Sequence, residues 1–528
     1  MAGTNGFPDQ RVAQLIELCE DMFRTRKMIL ASNRGPVDYV VDAEGKLQAK
    51  RGSGGVVTAL SALTKYVDFT WIASAMGEGD RRAAQASSDE VVPLSGQRVQ
   101  TKFVVTPRRM YHRFYNVICN PLLWFLQHYM WNIPHSPNID TAVYDAWEHG
   151  YVPVNLAFAR EIAKEADRSG QQCYVMIHDY QLYLAPDYVR KLVPNAVISH
   201  FSHIPWPTST YWQLLPKEMR TAIVKSLCSC DILGFQTQRD VRRFLHTCED
   251  FLDGVHVDHD KQTMLFQGHN TQVRSYPISI DVAEVRRIAT STRAQEYERN
   301  IARLCNKHTI MRVDRSEPSK NILRGFRAFE LLLERHPELR GEVNFIAFIV
   351  PSRTHISQYK RYQRDVEEIV ERINAAYGTP DWQPITMFLE NNYVQALAGM
   401  RLYDVLLVNP VIDGMNLVAK EGPVVNTKAG VLVLSETVGA QEQLAEGALS
   451  VAPADIFGTS KALYEALTMP QEERQRRSDI LTEVIESADV IDWLTRQMMD
   501  LRNIVDLSPF EASALLRQPG VETTDLVH

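Results

Sequence analysis

With 528 residues, the chain is longer than one hydrophobic core usually serves, so two domains of roughly 200–280 residues are expected. Hydrophobic residues at 45% and charged residues at 23%, with Leu, Val and Ile spread throughout, exclude disorder except at the ends. A formal net charge of -7 with scattered Lys and Arg argues against nucleic acid or an anionic membrane as a partner.

The polar start, MAGTNGFPDQ, leads into RVAQLIELCEDMFRTRK, where apolar and charged residues alternate at helical spacing. This pattern predicts a surface helix in an extension over residues 1–27, unlike a secretory leader. Short β-branched runs followed by helical patterns then recur: KMILASN, TWIAS, QQCYVMIHD, AVISHFSHIP and DILGFQT. The most apolar stretch, residues 121–131, contains Gln127 and His128 and falls well short of the roughly 20 residues that cross a bilayer. Residues 255–277 break the rhythm and read as a hairpin, which puts a domain boundary near residue 281, so that the first domain covers 28–281 and the second 282–488. In the second half the runs are HTIMRVD, VNFIAFIV, ITMFLE, YDVLLVNP and GVLVLSE. Strands alternating with helices predict an α/β protein with parallel sheets covered on both faces, whose ligands bind at the carboxyl ends of the strands. The tail, residues 506–528, has little periodicity and is expected to be loosely ordered. Seven cysteines without a C-x-x-C pair read as reduced thiols of a cytoplasmic protein.

The unusual polar clusters fall at strand ends. Residues 413–421 follow YDVLLVNP and open a helix, so the backbone N–H groups of Gly414, Met415, Asn416 and Leu417 and the positive helix end suit a diphosphate or sugar hydroxyls. Gly414 permits close approach, Asp413 can accept from sugar hydroxyls, and Glu421 can clamp a ribose diol. The plain alternative is an N-cap followed by a solvated acid. Arg315 and Lys320 lie on the next such loop, RSEPSKN, a planar fork and a mobile point charge facing an open cleft where a diphosphate could sit. Otherwise they are surface cations near Glu317 and Asp314. Arg34 follows the first strand, and Gly54 and Gly55 stand at the next helix start. Asp179 and His203 end two further strands, beside His178; each is a structural hydrogen bonder or part of a site. Asp258-His259-Asp260 matches an acidic metal motif, but its place at a hairpin tip, away from the strand ends, argues against a metal there. H-E-x-x-H, G-x-S-x-G and Walker sequences are absent, which leaves metalloprotease, serine hydrolase and P-loop readings without support.

Taken in order, LASNRGP, RGSGG, FYNVICNPLLW, IHDYQL, SHIPWP, LGFQTQRD, PISID, VPSR, YDVLLVNPVIDGMNLVAKE and GVLVLSETVGA resemble the trehalose-6-phosphate synthases over residues 28–501. The resemblance implies the α/β glycosyltransferase B fold: two Rossmann-like domains whose parallel sheets face each other across a cleft, with a helix over residues 489–505 crossing back to the first domain. It implies a retaining transfer of glucose from a nucleoside diphosphate to glucose 6-phosphate, usually described as a front-face reaction in which the leaving phosphate takes the acceptor's proton. Carried over, Arg315, Lys320 and the backbone of Gly414, Met415, Asn416 and Leu417 hold the donor diphosphate, Glu421 its ribose, and Asp413 and His203 its hexose. Arg34, Tyr115, Trp124 and Arg353 bind the acceptor phosphate, Asp179 lies near the reacting hydroxyls, and Gly54 or Gly55 closes the cleft. Neither a cofactor nor a metal is implied; the expected partners are a small nucleotide sugar and a sugar phosphate, with a homo-oligomer left open. Ser316-Glu317-Pro318 and Asn321 replace the family's Leu-Asp-Tyr and Gly, and with Gly422-Pro423 they lean toward a sister branch, the validoxylamine phosphate synthases, which couple cyclitols.

Overall fold

The computed structural model describes residues 10–42, 44–52, 57, 60, 67–85, 99–353 and 356–506. Gly54, Gly55 and the tail beyond residue 506, for which expectations were stated, lie outside the described residues.

Seventeen strands are described: β1 Arg26–Ser32, β2 Val37–Val41, β3 Leu47–Arg51, β4 Phe69–Ser74, β5 Val99–Val104, β6 Gln172–His178, β7 Val197–Phe201, β8 Ile232–Phe235, β9 His256–Asp258, β10 Thr263–Phe266, β11 His269–Ser275, β12 His308–Arg315, β13 Val343–Val350, β14 Ile385–Leu389, β15 Val405–Val408, β16 Val431–Ser435 and β17 Leu449–Val451. The first sheet has the order β5-β4-β1-β6-β7-β8-β11-β10-β9, and the second β14-β13-β12-β15-β16-β17. All pairings of the second sheet are parallel, as are those of the first from β5 to β11. The apolar runs explain this arrangement: every residue of β4, β7, β8, β15 and β16 is buried, which requires cover on both faces.

The stretch expected to be a hairpin is one, β10 pairing antiparallel with β11, and it also extends the first sheet. β11 pairs in parallel with β8, and only β10 and β9 turn antiparallel beyond it. Its alternation, with Thr271 and Val273 buried between more exposed neighbours, is that of a strand near a sheet edge.

In each sheet the chain order switches direction beside a central strand, β1 between β4 and β6, and β12 between β13 and β15. Crevices at such points, outside the carboxyl ends, are where ligands bind in this architecture. The helix Val490–Asp506 lies against the first sheet: Trp493 Nε1 donates to the Tyr276 carbonyl at 3.1 Å, and the Tyr276 hydroxyl donates to Asp500 Oδ2 at 2.6 Å. The helix Gln10–Thr25 packs beside it through Leu15, Leu18, Cys19 and Met22, and Arg11 pairs with Asp489 at 3.0 Å. That helix is therefore half embedded. All seven cysteines are free thiols, six of them buried. Among the described residues, no helix is long and apolar enough to cross a membrane.

Candidate active site

β12 ends at Arg315, and the chain makes one tight turn through Pro318–Lys320 before the helix Ile322–Arg335 begins. Asn321, at φ 57°, locks this loop by donating to the Asn409 and Pro453 carbonyls at 2.9 and 2.7 Å. Lys320 is thereby aimed at Asp413, with Nζ 2.5 Å from Oδ2, and Asn416 Nδ2 donates to the same oxygen at 3.1 Å. Burial would raise the Asp413 carboxyl, but Lys320 beside it brings it below the ordinary range. Lys320 is thus buried and paired rather than open to the cleft as expected, whereas Arg315 keeps a half-exposed side chain. Arg315 does pair with Glu317, at 3.0 Å; Asp314 is held by the buried Arg312 instead, at 2.7 Å.

Glu317 is fully buried. Its Oε1 accepts from Ser352 Oγ at 2.8 Å and faces Arg315 at 3.0 Å and Arg353 at 3.5 Å. Burial alone would raise this carboxyl, yet Arg315, Arg353 and Lys320 together hold it at about 2. Its Oε2 has no partner among the described residues.

After β15, Gly414 passes under the first domain so closely that a Cβ there would lie 2.1 Å from the His203 carbonyl oxygen. Only glycine allows the two halves to meet at this point. Asn416, at φ 71°, turns the chain into the helix Val418–Val425, and its Oδ1 takes the Ala419 N–H at 3.2 Å, so one amide of the helix start is already capped. Met415 is buried, Leu417 half-buried. Glu421, in the first turn, accepts from the Tyr393 hydroxyl at 2.9 Å, and burial pushes its carboxyl up to about 7.

The facing wall comes from the helix Arg113–Trp124, and Arg353, just past β13 of the second sheet, reaches it. The Arg353 guanidinium lies 5.0 Å from the centre of the Trp124 ring and donates to the Tyr359 hydroxyl at 2.5 Å. Arg34 hydrogen-bonds Tyr115; burial would raise that phenol, but Arg353 and Arg34 lower it. The two arginines therefore converge on one phenol. His128, one turn beyond Trp124, stacks on its ring at 4.0 Å, and its charge state couples to Asp413 across the cleft. Burial depresses His128 to about 4, so it is neutral there.

At the floor, Asp179 Oδ1 accepts from the His203 N–H at 3.2 Å, and burial pushes its carboxyl up to about 7. His203 Nε2 stands 3.1 Å from His178 Nδ1, and burial, with His178 and His200 beside it, holds His203 well below its ordinary range. Asp179, Asn321, Arg353 and Asn416 are four of the eight non-glycine residues with positive φ among those described. Such backbone strain gathers where surrounding structure must hold a functional group in place.

The structure thus brings Arg34, Tyr115, Trp124, Asp179, His203, Arg315, Lys320, Arg353, Asp413 and Glu421 to the strand ends of two facing sheets. Sequence reasoning missed the roles of His128, Tyr359, Ser352 and Glu317. The sequence reading takes Glu317 as a surface neighbour of Arg315 and as part of a loop that departs from the family, although an acid two residues from one expected phosphate-binding cation is a usable signal.

Two largely parallel sheets with paired cations and neutral histidines at their facing carboxyl ends fit a glycosyltransferase of the two-domain B fold. The model of glycosyltransferase family 20 matches residues 26–503, and the chain belongs to that family. An Aspergillus niger alpha,alpha-trehalose-phosphate synthase (UDP-forming) is 31% identical over 88% of this chain and 95% of its own length. A Streptomyces hygroscopicus validamine 7-phosphate valienyltransferase is 29% identical over 85% of this chain and 88% of its own. The chain spans 66% of a longer, 28% identical synthase of Dictyostelium discoideum. Among solved structures, a Burkholderia xenovorans alpha,alpha-trehalose-phosphate synthase in complex with glucose-6-phosphate superposes with a TM-score of 0.77 at 29% identity, covering 90% of this chain and all of that one. A trehalose-6-phosphate structure from E. coli bound with UDP-2-fluoro glucose gives 0.76 at 26% identity, covering 90% and 98%.

Proposed function

We propose that the chain is a retaining glucosyltransferase that moves glucose from a nucleoside diphosphate glucose to glucose 6-phosphate, giving α,α-trehalose 6-phosphate. The observation that carries this reading is the pair of cation groups, Arg315 with Lys320 on one side and Arg353 with Arg34 on the other, separated by a single buried carboxylate, Glu317. One group suits a diphosphate, the other a phosphate monoester, and the floor of Asp179 and His203 lies between them. The similarity to a relative solved with glucose-6-phosphate and to another solved with UDP-2-fluoro glucose supports the same assignment.

In this reading Arg315, Lys320 and the Gly414–Leu417 backbone hold the leaving diphosphate, while Glu421 holds the ribose. The bond from the anomeric carbon to the diphosphate oxygen breaks as the bond to the acceptor oxygen forms on the same face. The acceptor's proton passes to the departing phosphate oxygen. Arg315 and Lys320 stabilise the charge that develops there, and rate comes from positioning and preorganised charge. His203, neutral, donates to the donor hexose and takes no proton.

Coupling of a nucleotide cyclitol is the second reading, favoured by the valienyltransferase relative and by the Ser316-Glu317-Pro318 loop. Incubating the protein with a panel of nucleotide sugars and glucose 6-phosphate, and weighing the product by mass spectrometry, tests both. A hexose-disaccharide monophosphate is expected; its absence with every nucleotide glucose, alongside product from a nucleotide cyclitol, would reverse the order.

A further inference from the structure

The helix Gln238–Phe251 starts at the cleft, where Glu442 of the second half accepts from the N–H groups of Gln238 and Arg239 at 3.1 and 3.3 Å, and runs away from it. Eight residues further on, roughly 12 Å along the axis, His246 and Glu249 share one exposed face at three-residue spacing. The turn between β9 and β10 brings His259 up to the same face.

His246 Nδ1 lies 3.0 Å from one oxygen of Glu249, and His259 Nε2 lies 3.0 Å from the other. The potential ligand atoms of the three side chains all fall within 4.8 Å of one another. The imidazoles are tilted at 40° to one another with centroids 4.7 Å apart, and each presents a nitrogen to the same carboxylate. Asp258 of the Asp258-His259-Asp260 motif plays a different part. Asp258 Oδ1 accepts from the Lys261 N–H at 2.8 Å and Oδ2 faces Lys261 Nζ at 3.5 Å, which ties the turn and presents His259. Asp258 is therefore a support for the turn that presents His259.

We propose that His246, Glu249 and His259 bind one divalent transition-metal ion of the zinc class. With bonds of about 2.0–2.1 Å, two ligands on one ion stand roughly 3.0–3.4 Å apart, which is the separation already present on both sides of Glu249. Two imidazole nitrogens and one carboxylate select zinc, nickel, cobalt or copper over magnesium and calcium, which prefer all-oxygen sets. All three side chains are 39–62% exposed, so an ion reaches them from solvent and water completes its coordination. The bound ion clips the hairpin to the helix without touching the cleft.

Calorimetric titration of the full chain with zinc chloride near neutral pH tests this. One equivalent is expected, His246→Ala and His259→Ala each weakening it by at least about tenfold, and Glu249→Gln weakening it less because one oxygen remains. Zinc should raise the melting temperature of the wild type and leave that of His259→Ala unchanged, while the metal-free melting temperatures stay alike. Asp258→Asn with Asp260→Asn should retain the site. Absence of a zinc equivalent in the wild type, or an equivalent that both alanine variants keep, overturns the proposal.

Discussion

The Glu317 carboxylate stands 3.5 Å from the Arg353 guanidinium while also facing Arg315 at 3.0 Å, so one fully buried anion sets the positions of two cations carried at the ends of the neighbouring strands β12 and β13. Removing it leaves those cations uncompensated. Glu317→Ala should cost about 2–3 kcal/mol at pH 7, at or below the lower end expected for a broken buried pair because Arg315 is half-exposed. The folded carboxyl sits at about 2, below its unfolded value, so this stabilisation is present above the unfolded value and is lost as pH falls toward 2. Denaturant midpoints of wild type and variant should therefore converge in acid; a gap that persists at pH 2 contradicts the ion-pair account.

Lys320→Ala and Arg315→Ala should each lower turnover on the order of 10²-fold, the usual consequence of losing one charge-stabilising donor. Arg353→Ala should instead raise the Michaelis constant for the phosphorylated acceptor more than for the nucleotide sugar. Steady-state kinetics varying each substrate in turn separate the two sites, and equal effects on both substrates would remove the acceptor role of Arg353.

His203 is buried beside His178 and His200, which keeps it neutral across the working pH range. His203→Gln retains a hydrogen-bond donor and should keep measurable activity with an unchanged pH–rate profile, losing mainly discrimination among donors. Disappearance of a limb near pH 6–7 together with a fall beyond about 10⁴-fold is the mark of a general base, and would replace the front-face mechanism.

Asp179 carries the opposite sign. Burial raises its carboxyl from 3.8 to about 7, so between those values the folded protein holds a proton that the unfolded chain has released. Stability contributed by this group is present below pH 4 and is lost as pH rises through 7. Asp179→Asn should be nearly inactive yet more resistant to denaturant at pH 8, by about 2–4 kcal/mol, with the advantage vanishing near pH 4. Equal denaturant midpoints at pH 8 would refute the buried-charge cost.

Strands such as β4, β13 and β15 were legible because both their faces are buried and their runs are continuously apolar. The β2–β3 hairpin and the edge strand β5 were missed: they mix charged with apolar residues and are only partly buried, which weakens the pattern. β11 is legible as a hairpin strand, but HNTQVRS carries too few apolar residues to announce its parallel pairing with β8. At the site, residues placed by a single strand end, such as Arg315 and Asp413, could be proposed from local chemistry. His128 could not, because its contact with the Asp413 charge depends on a helix of one half packing opposite a loop of the other. Its ring was counted only as a polar interruption in an apolar stretch.

The helix Val490–Asp506 closes the first sheet with side chains made long after its strands. Trp493 sits 5.5 Å edge-on to Phe201 of β7 and caps Tyr276 at the end of β11. During synthesis, at roughly 5–20 residues per second, more than 200 residues separate the emergence of β11 from that of Trp493. For ten seconds or more the first half has its strands but not its final cover, and the helix Gln10–Thr25, which packs against the same late segment, waits with it. Completion of the first sheet is thus timed by a segment made much later, so that a ribosome stalled in the second half holds a nascent chain with an open apolar face, the state that chaperones bind.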